Sequence, residues 1–300
     1  MSFFYQAFGL SIQSEIALPP LFETPYIHAP DINVVLADVS SNGLEQADVI
    51  KPFSQFNQTQ LWLNITDVAL FEVSANVIKI APLSDDWDSI RLFLLGSCFG
   101  AVMHLKQDLV LHGNTIKFAD GCAVFMGPSG NGKSTLASAF YKKGYQILAD
   151  DLARVDETLQ VQPSYPQLKL WQDSAKKLEI DTSELKRVRP QDAKFAVPIN
   201  DSFFNHPLPV KALYILNTHN QDEFIFEELS GVDKFQPLKN NTFRPHFTQA
   251  FGMQKAHLKR VSQLASQARV VRITRPNHGF QIDELVKRIE QDMQKTPSHE

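Results

Sequence analysis

The chain has 300 residues, of which 43% are hydrophobic and 21% are charged, and its formal net charge is −4. This composition is that of an ordinary soluble globular protein, and the length suffices for one or two domains. The charge gives no support for a nucleic-acid partner. The two cysteines, Cys98 and Cys122, lie among apolar residues, which is typical of buried side chains and argues against a disulfide or a metal pair.

We expect neither a targeting signal nor a membrane-spanning segment. The N-terminal stretch MSFFYQAFGL has no basic segment and no small-residue cleavage site, so we expect no secretory signal. The apolar run Leu92–Leu105 has 14 residues and no Asp, Glu, Lys or Arg, which is too short to cross a bilayer and predicts a core helix. The expected location is the cytoplasm, with no membrane partner.

Short β-like runs separated by turn-rich segments fill residues 1–83, which predicts a small β-rich N-terminal domain. A helix is predicted from about Asp86 to Lys106, and its apolar middle LFLLGSCFGAVM indicates a buried connecting helix over residues 84–107. The β-like runs are Tyr5–Ile12, Ile32–Ala37, Gln60–Ile65, Leu70–Val73 and Val77–Ile80.

Strands and helices mix from residue 108 onward, which predicts an α/β domain over residues 108–300. Asp108–His112 and Thr115–Phe118 are expected to pair as a hairpin around Gly113-Asn114. Further strands are predicted at Cys122–Met126, Tyr145–Ala149, Ala153–Val155, Gln167–Leu170, Lys194–Ile199, Val210–Leu216 and Ala268–Ile273. Helices are predicted after the glycine-rich segment up to Lys143, and at Gln172–Leu178, Arg244–Gln267 and Gln281–Gln294.

The segment GPSGNGKS, Gly127–Ser134, fits the pattern G-x-x-x-x-G-K-[ST] of a loop that binds phosphates. It stands between an apolar strand and a predicted helix that Gly144 closes, which is the context that the pattern requires. The alternative, a strand-to-helix turn that happens to use glycines, gives no reason for Lys133 and Ser134. We therefore call Gly127–Ser134 the phosphate loop.

The chemistry of phosphate binding explains these residue types. Glycines let consecutive backbone N–H groups face a bound anion, and the start of the helix adds its positive end. Lys133 supplies a charge for the terminal phosphates, and the hydroxyl of Ser134 is suited to ligate Mg²⁺. The predicted nucleotide-binding residues are Gly127, Ser129, Gly130, Asn131, Gly132, Lys133, Ser134 and Thr135.

Asp150 and Asp151 follow the apolar triplet Ile147–Ala149 and are predicted to emerge at the carboxyl end of a strand, where ligand sites of α/β sheets lie. Both carboxylates face one site only if the strand ends between them, because successive strand residues point to opposite faces. The alternative interpretation is that Asp150 and Asp151 form a polar turn after the strand and have no catalytic role. His112, before Gly113, is by itself more typical of a structural histidine, and none of the histidines has metal-ligand spacing.

Together these features resemble the catalytic core of the HPr kinase/phosphorylase family over about 40 of the 300 residues. The matching elements are His112-Gly113, Gly127–Ser134, Lys142–Gly144 and Asp150-Asp151. The intervals also agree, with 15 residues from His112 to Gly127 and 17 from Lys133 to Asp150.

The resemblance implies a core like that of phosphoenolpyruvate carboxykinase, ATP and Mg²⁺ as cofactors, and a serine of a protein as the acceptor. It implies that Asp150 and Asp151 supply the general base and part of the Mg²⁺ site, with His112 nearby. Ser134 and one of the two acids, taken here as Asp151, are the expected metal ligands, and the sequence leaves open which acid is the base. The resemblance also implies a homo-oligomer. The family's segment E-x-R-G-x-G is not evident, since its nearest counterpart, Pro166–Gln172, has no glutamate or glycine. The resemblance therefore does not extend to phosphorolysis, with which that segment is associated.

The resulting hypothesis is an ATP-dependent kinase of a serine in a protein or peptide. Two rivals stand beside it: a sensor that binds ATP without transfer, and a kinase of a free small molecule. Candidates for a second cation at the phosphates are Lys186, Arg187, Arg189 and Lys194, for which a solvated surface is the alternative.

Overall fold

The computed structural model of the protein describes residues 2–188 and 193–295. This part of the chain is mixed α/β, with separate sheets of nine, eight and two strands. The chain divides into two compact units, Met1–Val110 with Phe243–Lys259 and Leu111–Thr242 with Arg260–Glu300. The sequence predicts an N-terminal domain over 1–83, a connecting helix over 84–107 and an ATP-binding domain over 108–300. This division stays a prediction, because a split into compact units does not assign a function to either unit.

The first unit contains a mixed nine-stranded sheet. Its strands are β1 (Phe3–Ala7), β2 (Leu10–Ser14), β3 (Phe22–Glu23), β4 (Ile32–Leu36), β5 (Val49–Lys51), β6 (Ser54–Phe56), β7 (Leu61–Ile65), β8 (Ala69–Val73) and β9 (Val77–Pro82). They lie in the order β3-β1-β2-β4-β9-β8-β7-β6-β5. The run predicted as one strand over Tyr5–Ile12 is two strands, because Phe8 and Gly9 both adopt positive φ and reverse the chain.

Helices occur in both units. In chain order they are α1 (Trp87–Phe93), α2 (Phe99–Leu105), α3 (Lys133–Lys142), α4 (Gln172–Lys177), α5 (Phe235–Asn240), α6 (His246–Ala250), α7 (Gln254–Gln267) and α8 (Ile282–Met293). The helix predicted over Arg244–Gln267 is two helices, α6 and α7. Gly252 ends α6 in a left-handed conformation, and the N–H groups of Gly252 and Met253 bond the carbonyls of Gln249 and Thr248. This is the hydrogen-bond pattern of a helix that stops at a glycine.

A π-helical turn, Leu94–Cys98, joins α1 to α2, and the side chain of Asp86 caps the start of α1. The stretch Trp87–Leu105 has 19 residues and is long and apolar enough to cross a membrane by length and composition. Of its most apolar window, 67% is buried inside the protein, as in a core helix. Cys98 in this stretch and Cys122 are both free and buried, as the sequence predicts.

The second unit is built on a mixed sheet. Its strands are β10 (Leu109–Phe118), β11 (Gly121–Met126), β12 (Ile147–Ala149), β13 (Leu152–Val155), β14 (Gln160–Gln162), β17 (Leu208–His219), β18 (Ile225–Leu229) and β19 (Arg269–Pro276), while β15 (Gln167–Trp171) and β16 (Lys194–Pro198) form a separate antiparallel pair. Six of its strands pair in the order β12-β10-β11-β17-β19-β18. Strands β13 and β14 also pair with each other, β13 with β10 and β14 with β17. Strands β11, β17 and β19 are parallel to one another.

The predicted hairpin around Gly113-Asn114 is wrong, because β10 runs unbroken through both residues. Gly113 pairs with Met126, and Asn114 pairs with Phe125 in the neighbouring strand. A Cβ on Gly113 would lie 2.6 Å from the carbonyl oxygen of Phe125. The glycine therefore permits a close approach of two strands, and makes no turn.

Stacked aromatic rings fix the strand and helix that flank the phosphate loop. The ring of Phe125 in β11 lies 5.2 Å from that of Tyr214 in β17, at an interplanar angle of 8°, and 5.6 Å from that of Phe140 in α3. All three side chains are fully buried. This packing holds the end of β11 and the start of α3 in a fixed relation, so the loop between them has fixed ends.

Candidate active site

The phosphate loop joins the end of β11 at Met126 to the start of α3 at Lys133. Its glycines Gly127, Gly130 and Gly132 have φ values of +146°, +88° and +88°, a region that side chains rarely adopt. A Cβ on Gly127 would also lie 2.5 Å from the carbonyl oxygen of Leu216 in β17. Steric exclusion and backbone conformation together require glycine at this position.

Lys133 is buried, and its ammonium group lies within the curve of the loop. Its Nζ donates to the carbonyl oxygens of Gly127, at 2.7 Å, and of Pro128, at 3.2 Å. Burial lowers the pKa of Lys133, while the charge of Asp151 opposes this shift and that of Asp150 adds to the opposition. A positive charge is therefore held at the loop, within electrostatic reach of both acidic side chains.

Three hydrogen bonds made by side chains hold the loop and the first turn of α3 in place. Asn131, in a variable position of the sequence pattern, donates through Nδ2 to the carbonyl of Leu216 at 2.8 Å. Arg275 of β19 donates to the carbonyl of Asn131 at 3.2 Å. The hydroxyls of Thr135 and Ser174 share a hydrogen bond of 2.7 Å. Ser129 is exposed and Ser134, the second residue of α3, is half-buried, so their hydroxyls lie near the surface of the loop.

Asp150 and Asp151 follow the last residue of β12, Ala149. The strand thus ends immediately before Asp150, and Asp151 has a left-handed φ of +66°. Asp150 accepts one hydrogen bond from the side-chain amide of Asn114 and another, at 2.7 Å, from the backbone N–H of Lys169. Asp151 forms an ion pair of 3.0 Å with the Nζ of Lys169. Both carboxylates therefore converge on Lys169 of β15.

The two acids differ in their protonation. Burial raises the pKa of Asp150 to about 7, the charge of Asp151 adds to this shift, and Lys169 and Lys194 oppose it. Burial also acts to raise the pKa of Asp151, but the charges of Lys169 and Lys194 outweigh it and hold that pKa well below its usual range. Near neutral pH, Asp151 is therefore ionised while Asp150 exchanges a proton.

His112 lies beside the acidic pair. Its Nδ1 is 3.2 Å from the carbonyl oxygen of Asp151, and the N–H of Gly113 donates to the same oxygen at 3.3 Å. Burial lowers the pKa of His112, and the charge of Lys133 lowers it further. The charge of Asp151 acts in the opposite direction. The imidazole is accordingly neutral near pH 7 and helps to hold the strained backbone of Asp151.

Among the four cations that the sequence singles out, Lys194 has a charge that acts on Asp150, Asp151, His112 and Lys133. It is the first residue of β16, and its ammonium lies 5.7 Å from the ring centre of Trp171. The guanidinium of Arg187 lies 5.8 Å from the ring of Phe195. Arg189 lies outside the described residues.

Three residues of the site have no counterpart among the sequence predictions: Asn114, Lys169 and Arg275. Lys169 carries a usable signal, since it stands in the apolar strand QLKLW and a buried lysine requires an acidic partner. It also lies within Pro166–Gln172, the segment that corresponds to the absent E-x-R-G-x-G. Asn114 and Arg275 carry no such signal, because only the strand pairing brings them to the site.

The donor chemistry of the site fits Mg²⁺. This cation is usually held by one or two carboxylates together with substrate phosphates and water, and it favours oxygen ligands. The ionised carboxylate of Asp151 and the hydroxyl of Ser134 are such ligands. Within residues 2–188 and 193–295, no group of three or more His, Cys, Asp or Glu side chains forms a protein-only metal cage, and a metal held with phosphates requires none.

Comparison with known proteins gives little further information. No model of a known protein family matches the chain, and no curated protein matches it. Among solved structures, the HPr(Ser) kinase/phosphatase from Coxiella burnetii is similar, with a TM-score of 0.31 and 13% identity, over 62% of this chain and 99% of that chain. A likeness at this TM-score carries no argument about the reaction or the residues.

Proposed function

We propose that this protein is an ATP-dependent kinase that transfers the γ-phosphate to a serine hydroxyl of a protein or peptide. The observation that carries the proposal is the convergence of Asp150 and Asp151 on Lys169, with both charges acting on the phosphate-loop lysine, Lys133. A phosphate loop alone binds nucleotide. A loop that faces an ionised acid and a second acid with a pKa near neutrality also has the groups needed for transfer.

The reaction assigns a separate task to each group. The serine oxygen bonds to the γ-phosphorus, the bond from that phosphorus to the bridging oxygen breaks, and its electron pair leaves on ADP. Asp150 takes the serine proton, since a pKa of about 7 allows it to accept a proton near neutral pH. Each carboxylate oxygen of Asp150 keeps a lone pair beyond the bonds from Asn114 and Lys169. Those two bonds hold the carboxylate in a fixed orientation.

The remaining residues bind and orient ATP. Lys133 and the backbone amides of the phosphate loop hold the β- and γ-phosphates. Asp151 and Ser134 would hold Mg²⁺, which supplies charge neutralisation at the β- and γ-phosphates. Lys194, whose charge already acts on both acids, is placed to stabilise the charge that develops on the transferred phosphoryl group. The choice of serine as the acceptor rests on the resemblance in the motif region.

The decisive test is incubation of the purified protein with Mg²⁺ and γ-labelled ATP, together with peptides that carry serine, threonine or tyrosine and with free serine. We expect label on the peptide serine. Asp150→Asn should lower the rate of transfer by about 10²–10⁴-fold and retain ATP binding. Asp120→Asn is the matched control, because Asp120 is an exposed acid in an ion pair with Lys211.

The outcomes separate the proposal from its rivals. Label on free serine alone would show a small-molecule kinase. ATP binding without transfer to any acceptor would show a sensor. An Asp150→Asn variant that transfers phosphate at the wild-type rate would contradict the assignment of the base, even if the protein is a kinase.

A further inference from the structure

A cavity of about 250 Å³ adjoins the phosphate loop within the second unit. Its wall includes Gly130, Gly132 and Thr135, together with Ser174 of α4 and residues 275–282. The volume is just below the range of about 300–1,000 Å³ that is typical of small-ligand pockets. It therefore suits part of a nucleotide whose phosphates lie outside it.

The cavity lies away from the acidic pair. Its wall includes neither Lys133 nor Asp150 nor Asp151. An acceptor hydroxyl must reach the γ-phosphate beside Asp150, so it approaches from the side of the acids. A nucleotide whose terminal phosphates bind at Lys133 needs a separate place for its nucleoside, and the cavity shares Gly130 and Gly132 with the phosphate loop.

Arg275 stands where the cavity meets the loop. It lines the cavity, and its guanidinium donates to the carbonyls of Asn131 and Pro276. Within the described residues it has no carboxylate partner, and burial lowers its pKa. A half-buried guanidinium without an acidic partner is suited to the inner phosphates of a nucleotide.

The far wall offers contacts for a nucleobase and a sugar. Phe280 contributes an aromatic ring that is 42% exposed, and the ammonium of Lys177 lies 5.3 Å from its centre. Nucleobases stack on such rings. Ser174, Asn277 and Gln281 add hydroxyl and amide groups that can bond the polar edges of a base or ribose.

We infer that this cavity binds the nucleoside part of the nucleotide, with the base on Phe280 and the inner phosphates at Arg275. The inference rests on the proposed function. It divides the nucleotide between two sets of residues: the phosphate loop binds the triphosphate, and the segment 275–282 binds the nucleoside.

The test compares the dissociation constants of ATP and of inorganic tripolyphosphate, measured by calorimetry on the full chain. Phe280→Ala should weaken ATP binding about tenfold, because stacking on an aromatic ring is lost, and should leave tripolyphosphate binding unchanged. Gln281→Ala, at another residue of the cavity wall, should have the same selective effect. Phe53→Ala is the matched control, since Phe53 is 60% exposed in the first unit and should affect neither ligand.

The results distinguish two failures. If wild type binds neither ATP nor tripolyphosphate, the proposed function fails. If wild type binds both and Phe280→Ala changes neither constant, or changes both equally, the nucleoside site is overturned while the phosphate loop stands. A variant with unchanged ATP affinity and a raised KM for the acceptor peptide would place the acceptor in the cavity and also overturn the inference.

Discussion

Lys169 contacts both acids of the site, Asp150 through its backbone N–H and Asp151 through its side chain. It is 8% exposed, so its charge is compensated inside the protein rather than by water. Its positive charge partly offsets the rise that burial causes in the pKa of Asp150, and it holds Asp151 ionised. We regard it as a positioning residue that determines at which pH Asp150 is available as a base.

The pH dependence of transfer should show this effect. In the wild type, the value of kcat/KM should fall as the pH drops through about 7, because Asp150 takes up a proton and can no longer accept one. Lys169→Gln removes a charge that opposes this protonation, so the acid limb of the profile should move to higher pH. The measurement is labelled transfer between pH 5.5 and 9, a window of about 1.5–2 units on either side of that pKa.

The control for this profile is Lys211→Gln, because Lys211 forms an exposed ion pair with Asp120. Its acid limb should coincide with that of the wild type. If the acid limb of Lys169→Gln lies at the wild-type position or at lower pH, Lys169 does not lower the pKa of Asp150.

Lys133 should account for most of the affinity for the triphosphate. If ATP binds only the folded state, saturation with Mg²⁺-ATP at 100 times Kd should raise the free energy of unfolding by about 2.7 kcal/mol. Lys133→Ala should remove most of this shift in a thermal denaturation assay. An undiminished shift in the variant would mean that ATP binds elsewhere.

At the scale of elements, the phosphate loop depends on a close contact between its first glycine and β17. Gly127→Ala should both destabilise the protein and abolish ATP binding, because its Cβ would meet the carbonyl of Leu216 at 2.5 Å in a backbone with φ of +146°. Gly144→Ala is the matched control: φ is +86° and nothing lies within 4 Å of the added Cβ.

Chemical denaturation and ATP titration of the two variants provide the comparison. Gly144→Ala should cost about 1 kcal/mol of stability through backbone strain, with the ATP affinity unchanged. Gly127→Ala should cost more than this. If Gly127→Ala binds ATP as the wild type does, the tight contact is not needed for phosphate binding.

The sequence predicted the elements where a pattern is local. The apolar strand before the phosphate loop, the helix after it and the strand Val77–Ile80 all occur, because hydrophobic periodicity and glycine positions determine them over a few residues. Two local signals were misinterpreted. Gly113-Asn114 is typical of a turn, yet it lies within β10, and Gly252, which ends α6, stands in a run with helical periodicity.

The candidate site was predictable in its motif and not in its surroundings. The loop, the acidic pair and His112 lie close together in sequence and have recognisable spacing. Asn114, Lys169 and Arg275 reach the site through strand pairing between distant segments, which periodicity does not reveal. Likewise, the rise in the pKa of Asp150 and the fall in that of Asp151 depend on burial and on the positions of two lysines, which the sequence pattern does not give.

At the scale of the whole molecule, a buried polar network ties the C-terminal helix to the sheet of the second unit. The hydroxyl of Tyr214 in β17 donates to Asp292 of α8 at 2.7 Å, and Arg269 of β19 lies 3.4 Å from the same carboxylate. Burial acts to raise the pKa of Asp292, but the bonds from Tyr214 and Lys295 outweigh it and lower the pKa.

Tyr214→Phe should therefore lower the free energy of unfolding by about 1–3 kcal/mol at neutral pH, because a buried carboxylate loses a donor. Since the folded pKa of Asp292 is depressed, its stabilisation is present above the unfolded value of about 3.9 and is lost as the pH falls through the folded value. The difference between variant and wild type should thus shrink in urea denaturation below about pH 4. Tyr26→Phe, at a side chain that is 73% exposed, is the control. A difference that grows on acidification would contradict the network.

The polypeptide enters the first unit twice, at its start and again over Phe243–Lys259. No single proteolytic cut can consequently release either half with all of its own residues. A fragment that begins at residue 111 would carry Phe247 and Phe251 without Phe56, the ring against which both pack. Dissection of this protein therefore calls for co-expression of complementary pieces or for circular permutation, and a simple truncation would leave orphaned apolar surface prone to aggregation.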